Sequence, residues 1–294
     1  MPQTSETIRG LIGLSRPPEW SKSLGNMVIA FIVASGFSDL NWPLFLAGFI
    51  AVGPLLWGGL YTLNDYTDWQ KDALHPVKKN RAIPSGRVPP KVALIFSIAL
   101  ITLSFAIGFF VIGKPLFVLC LAAMLANQFL YTLKPFELKK KPALDLVSGS
   151  LVNPFFRFYA GWFLVAGAFN APLALIVFVL GIQLGGYALY RLSSKKHEEE
   201  LDYKSSAVVL GENKVKMISY AGIVLSGAAF FYSTISGTLP FEYFFLGVAS
   251  MIPLPLYWTA LKNPQKMNME FVYKLIYAHY VFFIIGFVAL AYIG

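Results

Sequence analysis

Long apolar segments alternate with short polar loops along nearly the whole chain. A helix needs roughly 20 apolar residues to cross a bilayer, and nine runs of about that length can be recognised. Their approximate limits are 21–37, 43–63, 92–112, 115–133, 143–166, 171–190, 215–235, 239–261 and 271–292. The pattern therefore predicts an all-α integral membrane protein with nine transmembrane helices, organised as one domain over residues 1–294.

The composition excludes an ordinary soluble domain. Hydrophobic residues make up 56% of the chain, charged residues make up 13%, and the mean hydropathy is +0.61. Soluble proteins carry about 25% charged residues. The single cysteine, Cys120, lies within an apolar run. A lone cysteine there excludes a disulfide framework and a cysteine-based metal site.

Basic residues are distributed unevenly between the two faces of the predicted bundle. All but two of the 24 lysines and arginines fall on one side; Lys114 lies on the other side and Arg157 lies within a span. The positive-inside rule then predicts a cytoplasmic N-terminus and an outside C-terminus, and Lys139 to Lys141 are interpreted as a topogenic signal. Residues 1–20 lack the apolar core of a cleavable signal peptide and predict a short interfacial helix. The net charge of +9 indicates attraction to anionic membrane lipids rather than to nucleic acid.

A cluster of acidic residues directly follows the second apolar run, at residues 64–72. On a helix Asn64, Asp68 and Asp72 are four residues apart and share one face. Together with Asp65 they form a group whose carboxylates repel one another unless a cation joins them. Mg2+ prefers such oxygen ligands and usually keeps room for substrate phosphates. The segment predicts an enzyme that acts on a lipid-tailed diphosphate, with a solvated loop of balanced charge as the alternative.

A second acidic segment follows the sixth run, four spans later and with the same predicted orientation. It contains Glu198 and Asp202, again four residues apart. Its position predicts two acidic patches that face each other across a shared cavity. The alternative is a hydrated surface helix, because three consecutive glutamates are flanked by lysines.

Three basic residues are candidates for binding an anionic substrate. Lys134 lies beside Tyr131 at the exit of the fourth run, Arg81 follows the first acidic segment, and Arg157 lies within the fifth run. Because a buried arginine is costly in a membrane, Arg157 should face a cavity and a partner. Asp145 is the candidate partner.

These motifs resemble the NDxxDxxxD signature of the UbiA superfamily of intramembrane prenyltransferases. Residues 64–72 match the signature, and Pro84-Ser85-Gly86-Arg87 matches its continuation. The similarity also includes Arg16-Pro17, His75-Pro76, Arg81 and Tyr131-Thr132-Leu133-Lys134. The second motif departs from the family's usual DxxxD, because Glu198 stands in the first acidic position and Ser205-Ser206 lie where glycine is common.

The resemblance implies a helical bundle around a central cavity that opens sideways to lipid and is capped by cytoplasmic loop helices. It also implies that two Mg2+ ions bridge the two acidic motifs and a diphosphate. The implied metal ligands are Asn64, Asp65, Asp68 and Asp72 in the first motif and Glu198 and Asp202 in the second. The implied substrate-binding residues are Lys22, Asn64, Arg81, Lys134 and Arg157, and the implied catalytic residues are Asp68, Asp72, Tyr131 and Lys134.

The charges predict the chemistry. An allylic diphosphate ionises when metals and basic side chains neutralise its leaving group, and an apolar cavity keeps water from the resulting cation. The expected function is Mg2+-dependent transfer of a prenyl group from an isoprenyl diphosphate to an aromatic acceptor, a quinone precursor or a lipid alcohol.

Two other functions are also considered. Residues 16–22 and 75–78, with Arg157, also resemble the superfamily's polyprenyl-phosphate phosphoribosyltransferase branch, in which the diphosphate belongs to a sugar donor. The acidic second motif favours prenyl transfer. A transporter or cation channel is disfavoured, because the acidic residues lie in loops and not within the spans.

Overall fold

The computed structural model describes residues 4–74, 78–200, 203–264 and 266–292, and within these residues it contains helices and no strand. The N-terminal helix α1 lies where the sequence predicts a short helix. The α-helices are α1 (Thr4–Leu14), α2 (Trp20–Ala34), α3 (Trp42–Ile50), α4 (Gly58–Asp72), α5 (Pro90–Ile107), α6 (Pro115–Thr132), α7 (Leu144–Val147), α8 (Asn153–Trp162), α9 (Leu173–Glu200), α10 (Ser206–Val209), α11 (Glu212–Ile235), α12 (Tyr243–Ala249), α13 (Leu254–Lys262) and α14 (Met269–Leu290).

Three π-helical segments interrupt the apolar helices, at Ala51–Trp57, Gly108–Ile112 and Ser148–Val152. The first joins α3 to α4 and contains Pro54. Proline has no N–H to donate to the preceding turn, and the wider π turn accommodates it without ending the helix. As a result α3 and α4 form one helical span, Trp42–Asp72, which carries the first acidic motif at its end.

Six helical spans in the described part of the chain are long and apolar enough to cross a membrane, and the bent pair α12 and α13 raises this number to at most seven. The nine-span count is therefore not confirmed. The two runs that do not qualify are 21–37 and 143–166. The first forms α2, whose 15 residues extend about 22 Å at 1.5 Å per residue, less than the hydrocarbon thickness of about 30 Å. The second is divided among α7, a π turn and α8.

Helix α2 lies in the core of the bundle, and small residues let its neighbours approach closely. Residues 27–32 of α2 are all buried. A Cβ atom at Gly161 of α8 would lie 2.2 Å from the carbonyl oxygen of Met27. A Cβ atom at Gly181 of α9 would likewise lie 2.5 Å from the carbonyl oxygen of Gly222 on α11. Close backbone contact at small residues is how membrane helices associate.

The loops that the sequence assigns to one face meet at one end of the bundle. Arg16 precedes α2 and contacts Asp65 on α4, while Lys139, which follows α6, contacts Asp68. Lys114, assigned to the other face, donates to the carbonyl oxygen of Leu164 at the end of α8. The polar loops therefore gather the charged residues around the end of α4.

Replacing Gly161 with alanine should destabilise the protein, because the new Cβ meets the backbone of α2 and the two helices must separate. We expect a loss of about 1–3 kcal/mol, visible as a lower melting temperature of the purified protein in detergent. Gly167→Ala is the matched control, since a Cβ there meets no atom within 4 Å. Equal melting temperatures for the two variants would contradict the close packing of α8 on α2.

Candidate active site

A cavity of about 1040 Å³ lies among the helices, with a charged end and a largely apolar body. Pockets that bind small molecules usually measure about 300–1,000 Å³, so this one is large enough for a substrate with a hydrocarbon tail. Asn64 and Asp68 line its charged end together with Glu198, whereas Phe178, Phe230 and Phe283 line the apolar body.

The first acidic motif presents two different faces. Asn64 and Asp68 line the cavity, whereas Asp65 and Asp72 are buried and do not line it. Residues seven apart on a helix lie almost directly above one another, since two turns take 7.2 residues. Asp72 therefore shares the side of Asp65 and not, as the four-residue spacing predicted, the face of Asn64 and Asp68.

Arginines neutralise the buried face of this motif. The Arg81 guanidinium lies 3.1 Å from Asp65 and 2.8 Å from Asp72. Arg16 contributes a second contact to Asp65, at 2.5 Å. Lys78 approaches Asp72 at 3.8 Å. The two buried carboxylates thus hold Arg16 and Arg81 at the rim of the cavity, which both arginines line.

Lys139 neutralises Asp68, on the face of the first acidic motif that lines the cavity. The Lys139 ammonium donates to both carboxylate oxygens of Asp68, at 2.9 and 2.7 Å, and its side chain is only 9% exposed. The sequence indicated a topogenic signal at this lysine and a substrate ligand at Lys134. The structure instead places Lys134 on the surface, outside the cavity lining, and places Lys139 in it.

The second acidic motif is bound to an arginine that the sequence did not single out. Arg191 lies 2.7 Å from Glu198 and 3.3 Å from Asp145, and all three residues are buried. Asp145 is therefore the partner of Arg191 and not, as the sequence suggested, of Arg157. The seven-residue spacing between Arg191 and Glu198 on α9 is the signal that could have revealed the pair.

Ser205 and Ser206 complete this network. Ser205 donates to Glu198, and the Ser206 hydroxyl and backbone N–H donate to Asp145. Ser194 also donates to Glu198, at 3.1 Å. The two serines that replace the glycine common in the second motif thus satisfy buried carboxylate oxygens.

The two acidic motifs face one cavity, as the sequence predicted, and Lys139 connects them. Its ammonium lies on Asp68, while its carbonyl oxygen accepts a hydrogen bond from Arg191 at 3.2 Å. Arg191 in turn pairs with Glu198. Asp202, the other predicted acid of the second motif, lies outside the described residues, as do His75 and Pro76.

Tyrosines complete the wall around the charged end. Arg191 donates to the Tyr131 hydroxyl, which also pairs with the Tyr187 hydroxyl at 2.7 Å. Tyr203 lines the same end, and burial, followed by the negative charge of Asp68, raises its pKa to about 12. Tyr203 therefore stays a neutral hydrogen-bond donor at physiological pH.

Lys22 forms a separate ion pair on the cavity wall. It lies 2.6 Å from Glu19, which also accepts a hydrogen bond from Tyr277 at 2.9 Å. Burial opposes the charged form of Glu19, but the Lys22 charge and the hydrogen bonds from Lys22 and Tyr277 prevail and lower its pKa to about 2. Because the carboxylate stays ionised down to that pH, the pair is intact at neutral pH.

Arg157 lines the deeper cavity and stacks on an aromatic ring. Its guanidinium carbon lies 3.8 Å from the centre of the Trp57 ring. Within the described residues, its Nε is buried without a hydrogen-bond partner.

The residues at the cavity face fit one hard cation. Asn64 and Asp68 offer oxygen ligands, and the ammonium on Asp68 shows that this position accepts a positive charge. Among the described residues, no group of three or more His, Cys, Asp or Glu side chains is arranged to hold a metal ion. A magnesium ion here would therefore depend on substrate oxygens for most of its coordination, as Mg2+ commonly does.

Replacing Arg191 with glutamine should strongly destabilise the protein, because Asp145 and Glu198 would remain buried without a counter-charge. Breaking a buried ion pair costs about 3–5 kcal/mol, and the melting temperature should fall accordingly. Lys195→Gln on the same helix is the control, since its 3.5 Å pair with Glu199 is partly exposed and such pairs contribute about 0–1 kcal/mol. A melting temperature equal to that of the control would show that Arg191 does not support the second motif.

Comparisons with known proteins agree with this architecture. The chain is 27% identical over 206 residues to a protoheme IX farnesyltransferase from Pyrobaculum neutrophilum, covering 68% of this chain and 70% of the relative. It is 28% identical to a decaprenyl-phosphate phosphoribosyltransferase from Corynebacterium glutamicum, covering 65% of this chain and 55% of the relative. A UbiA homologue from Archaeoglobus fulgidus, whose structure was solved with DMAPP and Mg2+, superimposes with a TM-score of 0.76 at 18% identity, covering 96% of this chain and 97% of the other.

The family assignment covers almost the entire chain. Residues 24–293 match the model of the UbiA prenyltransferase family, whose members transfer prenyl groups. The match extends from α2 through α14 and includes both acidic motifs. The chain is therefore an integral multi-pass membrane protein that belongs to the UbiA prenyltransferase family.

Proposed function

We propose that this protein transfers a prenyl group from an isoprenyl diphosphate to an acceptor within the membrane, with Mg2+ as cofactor. The observation that supports this most directly is the shape and charge of the cavity described above. Its charged end carries Asn64, Asp68 and Lys139, and its apolar body lies among membrane helices. Such a cavity matches a substrate with a diphosphate head and a hydrocarbon tail.

The diphosphate would bind at the charged end. Arg81 and Lys139 line this end, Lys22 lines the cavity wall, and all three can donate to phosphate oxygens. Mg2+ at Asn64 and Asp68 would neutralise charge on the leaving group as the allylic bond breaks. For this to happen Lys139 moves from Asp68 to a phosphate oxygen, because the ammonium and the metal compete for the same carboxylate.

Asp65 and Asp72 act differently from Asn64 and Asp68 in this proposal. Both are buried in ion pairs with Arg81, so they position the arginine rather than face the substrate. A second metal ion, which the family resemblance implies, would use Glu198 and Asp202. At Glu198 it would have to displace donors already in place on both carboxylate oxygens, from Arg191, Ser194 and Ser205.

Bond breaking leaves an allylic cation next to diphosphate. The carbon–oxygen bond breaks with its electron pair on oxygen, the acceptor then attacks the same carbon, and the acceptor loses a proton. Tyr131 and Tyr187 line the cavity beside the charged end, where aromatic faces stabilise a nearby cation. The apolar body keeps water from the cation and directs it to the acceptor.

The charge distribution supports one orientation in the membrane. Arg16 and Lys139 in loops and Arg191 on α9 lie at one end of the bundle, and the positive-inside rule favours the cytoplasm for that end. The N-terminus and the diphosphate end of the cavity would then be cytoplasmic and the C-terminus outside. A water-soluble acceptor or metal ion would enter from the cytoplasm, whereas the prenyl tail would enter from the lipid.

Phosphoribosyl transfer to a polyprenyl phosphate is the second candidate. It is supported by the similarity to the decaprenyl-phosphate phosphoribosyltransferase, which spans about half of that relative. The same charged end could hold the diphosphate of a sugar donor. Incubating the purified protein separately with a labelled isoprenyl diphosphate and with labelled phosphoribosyl diphosphate distinguishes the two, since only the true donor is consumed in the presence of Mg2+.

Replacing Asp68 with alanine should abolish Mg2+-dependent transfer, and because Lys139 loses its counter-charge, activity is measured at a temperature at which the variant is folded. Removing one group that stabilises a developing charge costs about 100-fold or more in rate, which product formation from labelled isoprenyl diphosphate measures. Asp39→Asn is the control, because Asp39 is exposed outside the cavity and asparagine tolerates its positive φ of 48°. Full activity of the Asp68 variant would remove this carboxylate from the mechanism.

Lys139 and Lys134 should differ sharply in their effect on substrate binding. Lys139→Gln removes a buried cation from the diphosphate end, so the KM for the diphosphate should rise by about tenfold or more, as expected for a hydrogen bond to a charged group. Lys134→Gln changes an exposed side chain outside the cavity and should leave the KM unchanged. Steady-state kinetics with varied diphosphate concentration tests both, and the opposite ranking would restore Lys134 as the substrate ligand.

A further inference from the structure

Arg157 is a buried cation that the diphosphate chemistry does not use. It lies on α8, it is only 4% exposed, and it lines the cavity. Its guanidinium stacks on the Trp57 ring at 3.8 Å. Among the described residues it makes no hydrogen bond and no ion pair, and its Nε is buried without a partner. A buried charge is expensive unless it is paired.

No described carboxylate that approaches the cavity is left to neutralise Arg157. Each of these acids already lies against a different cation. The pairs are Asp65 with Arg16 and Arg81, Asp72 with Arg81, Asp68 with Lys139, Asp145 and Glu198 with Arg191, and Glu19 with Lys22.

The surroundings of Arg157 offer a hydrogen-bond donor. Trp57 Nε1 is also buried without an acceptor, and it can only donate. A positive charge beside a free donor is complementary to an oxyanion, and a guanidinium binds carboxylate or phosphate through two parallel hydrogen bonds.

This position is separate from the diphosphate end. Trp57, on which Arg157 stacks, precedes Asn64 by seven residues along the same helical span, about 10 Å at 1.5 Å per residue. A diphosphate held between Asn64, Asp68 and Lys139 does not extend two helical turns deeper into the membrane. An oxyanion bound at Arg157 would therefore belong to another group.

A negative charge here would also favour the proposed reaction. An allylic cation that forms in the cavity would be repelled by an unneutralised guanidinium, and the repulsion is strong in a medium of low dielectric constant. An acidic group bound to Arg157 removes this repulsion when the acceptor is in place. Ionisation would then be favoured only in the presence of the second substrate.

We propose that Arg157 binds the acidic group of the acceptor, a carboxylate or a phosphate, and thereby selects anionic over uncharged acceptors. This assignment rests on the proposed transfer function and identifies the chemical class of its second substrate. Arg157 is a specificity-determining residue in this view, because it holds a part of the acceptor that does not react.

Matched acceptor pairs test the assignment. The first pair is an aromatic carboxylate and its methyl ester. The second pair is a glycerol phosphate lipid and the corresponding uncharged alcohol. Each is offered to the full-length protein with Mg2+ and labelled isoprenyl diphosphate, and in parallel a polyprenyl phosphate and its alcohol are offered with labelled phosphoribosyl diphosphate. Binding of each acid without donor is followed as a thermal shift. The wild-type protein should bind and use at least one acid in strong preference to its uncharged partner. The pair that shows this preference identifies whether Arg157 binds a carboxylate or a phosphate.

The variants Arg157→Gln and Arg157→Lys separate binding of the acceptor from binding of the donor. Arg157→Gln should raise the KM for the acid by about 10- to 100-fold, the equivalent of a lost hydrogen bond to a charged group, and leave the KM for the diphosphate unchanged. Arg157→Lys retains the charge, so its KM for the acid should lie between those of the wild type and Arg157→Gln. If Arg157→Gln does not fold, Arg157→Lys alone is compared with the wild type. Lys274→Gln, at an exposed pair with Glu270, is the control.

Two outcomes overturn the assignment. One is equal use or binding of acid and uncharged acceptors by the wild-type protein, including the absence of binding by any acid. The other is an Arg157 variant that changes the KM for the diphosphate and not for the acceptor. Failure of the proposed transfer function looks different, because then the wild-type protein consumes no isoprenyl diphosphate while the thermal shift with the acids still depends on Arg157.

Discussion

Buried carboxylates at the charged end of the cavity each lie against an arginine or a lysine, and this pairing determines how the rest of the site is arranged. Asp65 is neutralised by Arg16 and Arg81, and Asp145 by Arg191. Removing one member of such a pair leaves an uncompensated charge out of water, which costs far more than a surface ion pair contributes. The loops before α2 and after α4, α6 and α9 are therefore held together by charge, although they are far apart in the sequence.

Packing and charge have separate roles along the bundle. In its apolar part the helices approach through small residues, as at Gly161 against α2 and Gly181 against α11, because lipid provides no hydrophobic force that would bring helices together. At the polar end ion pairs connect the loops. The cavity lies where these two regions meet, so it presents a hydrocarbon wall and a charged wall to the same ligand.

The sequence predicted the helical class, the first acidic motif and a cavity shared with the second, because apolar runs and paired acids are local patterns. It did not predict which cation neutralises which acid. Lys139 and Arg191 belong to loops and helix ends where basic residues also set topology, so composition alone cannot separate the two roles. The count of nine spans is not confirmed for a related reason: the apolar run 143–166 does not reveal that a π turn divides it, and α2 is short and buried within the protein.

The ion pairs at the charged end of the cavity also indicate why the site can remain folded before substrate binds. In the proposed reaction Asp68 would hold the metal ion and the Lys139 ammonium would turn to the diphosphate, so each of these side chains would keep a partner of opposite charge. Arg157 differs because no carboxylate of the described residues that approaches the cavity remains for it, and in our proposal the acceptor supplies the missing negative charge. A cavity whose charge is completed by its second substrate would couple breaking of the donor bond to the presence of the acceptor, and this coupling would protect a reactive cation from water.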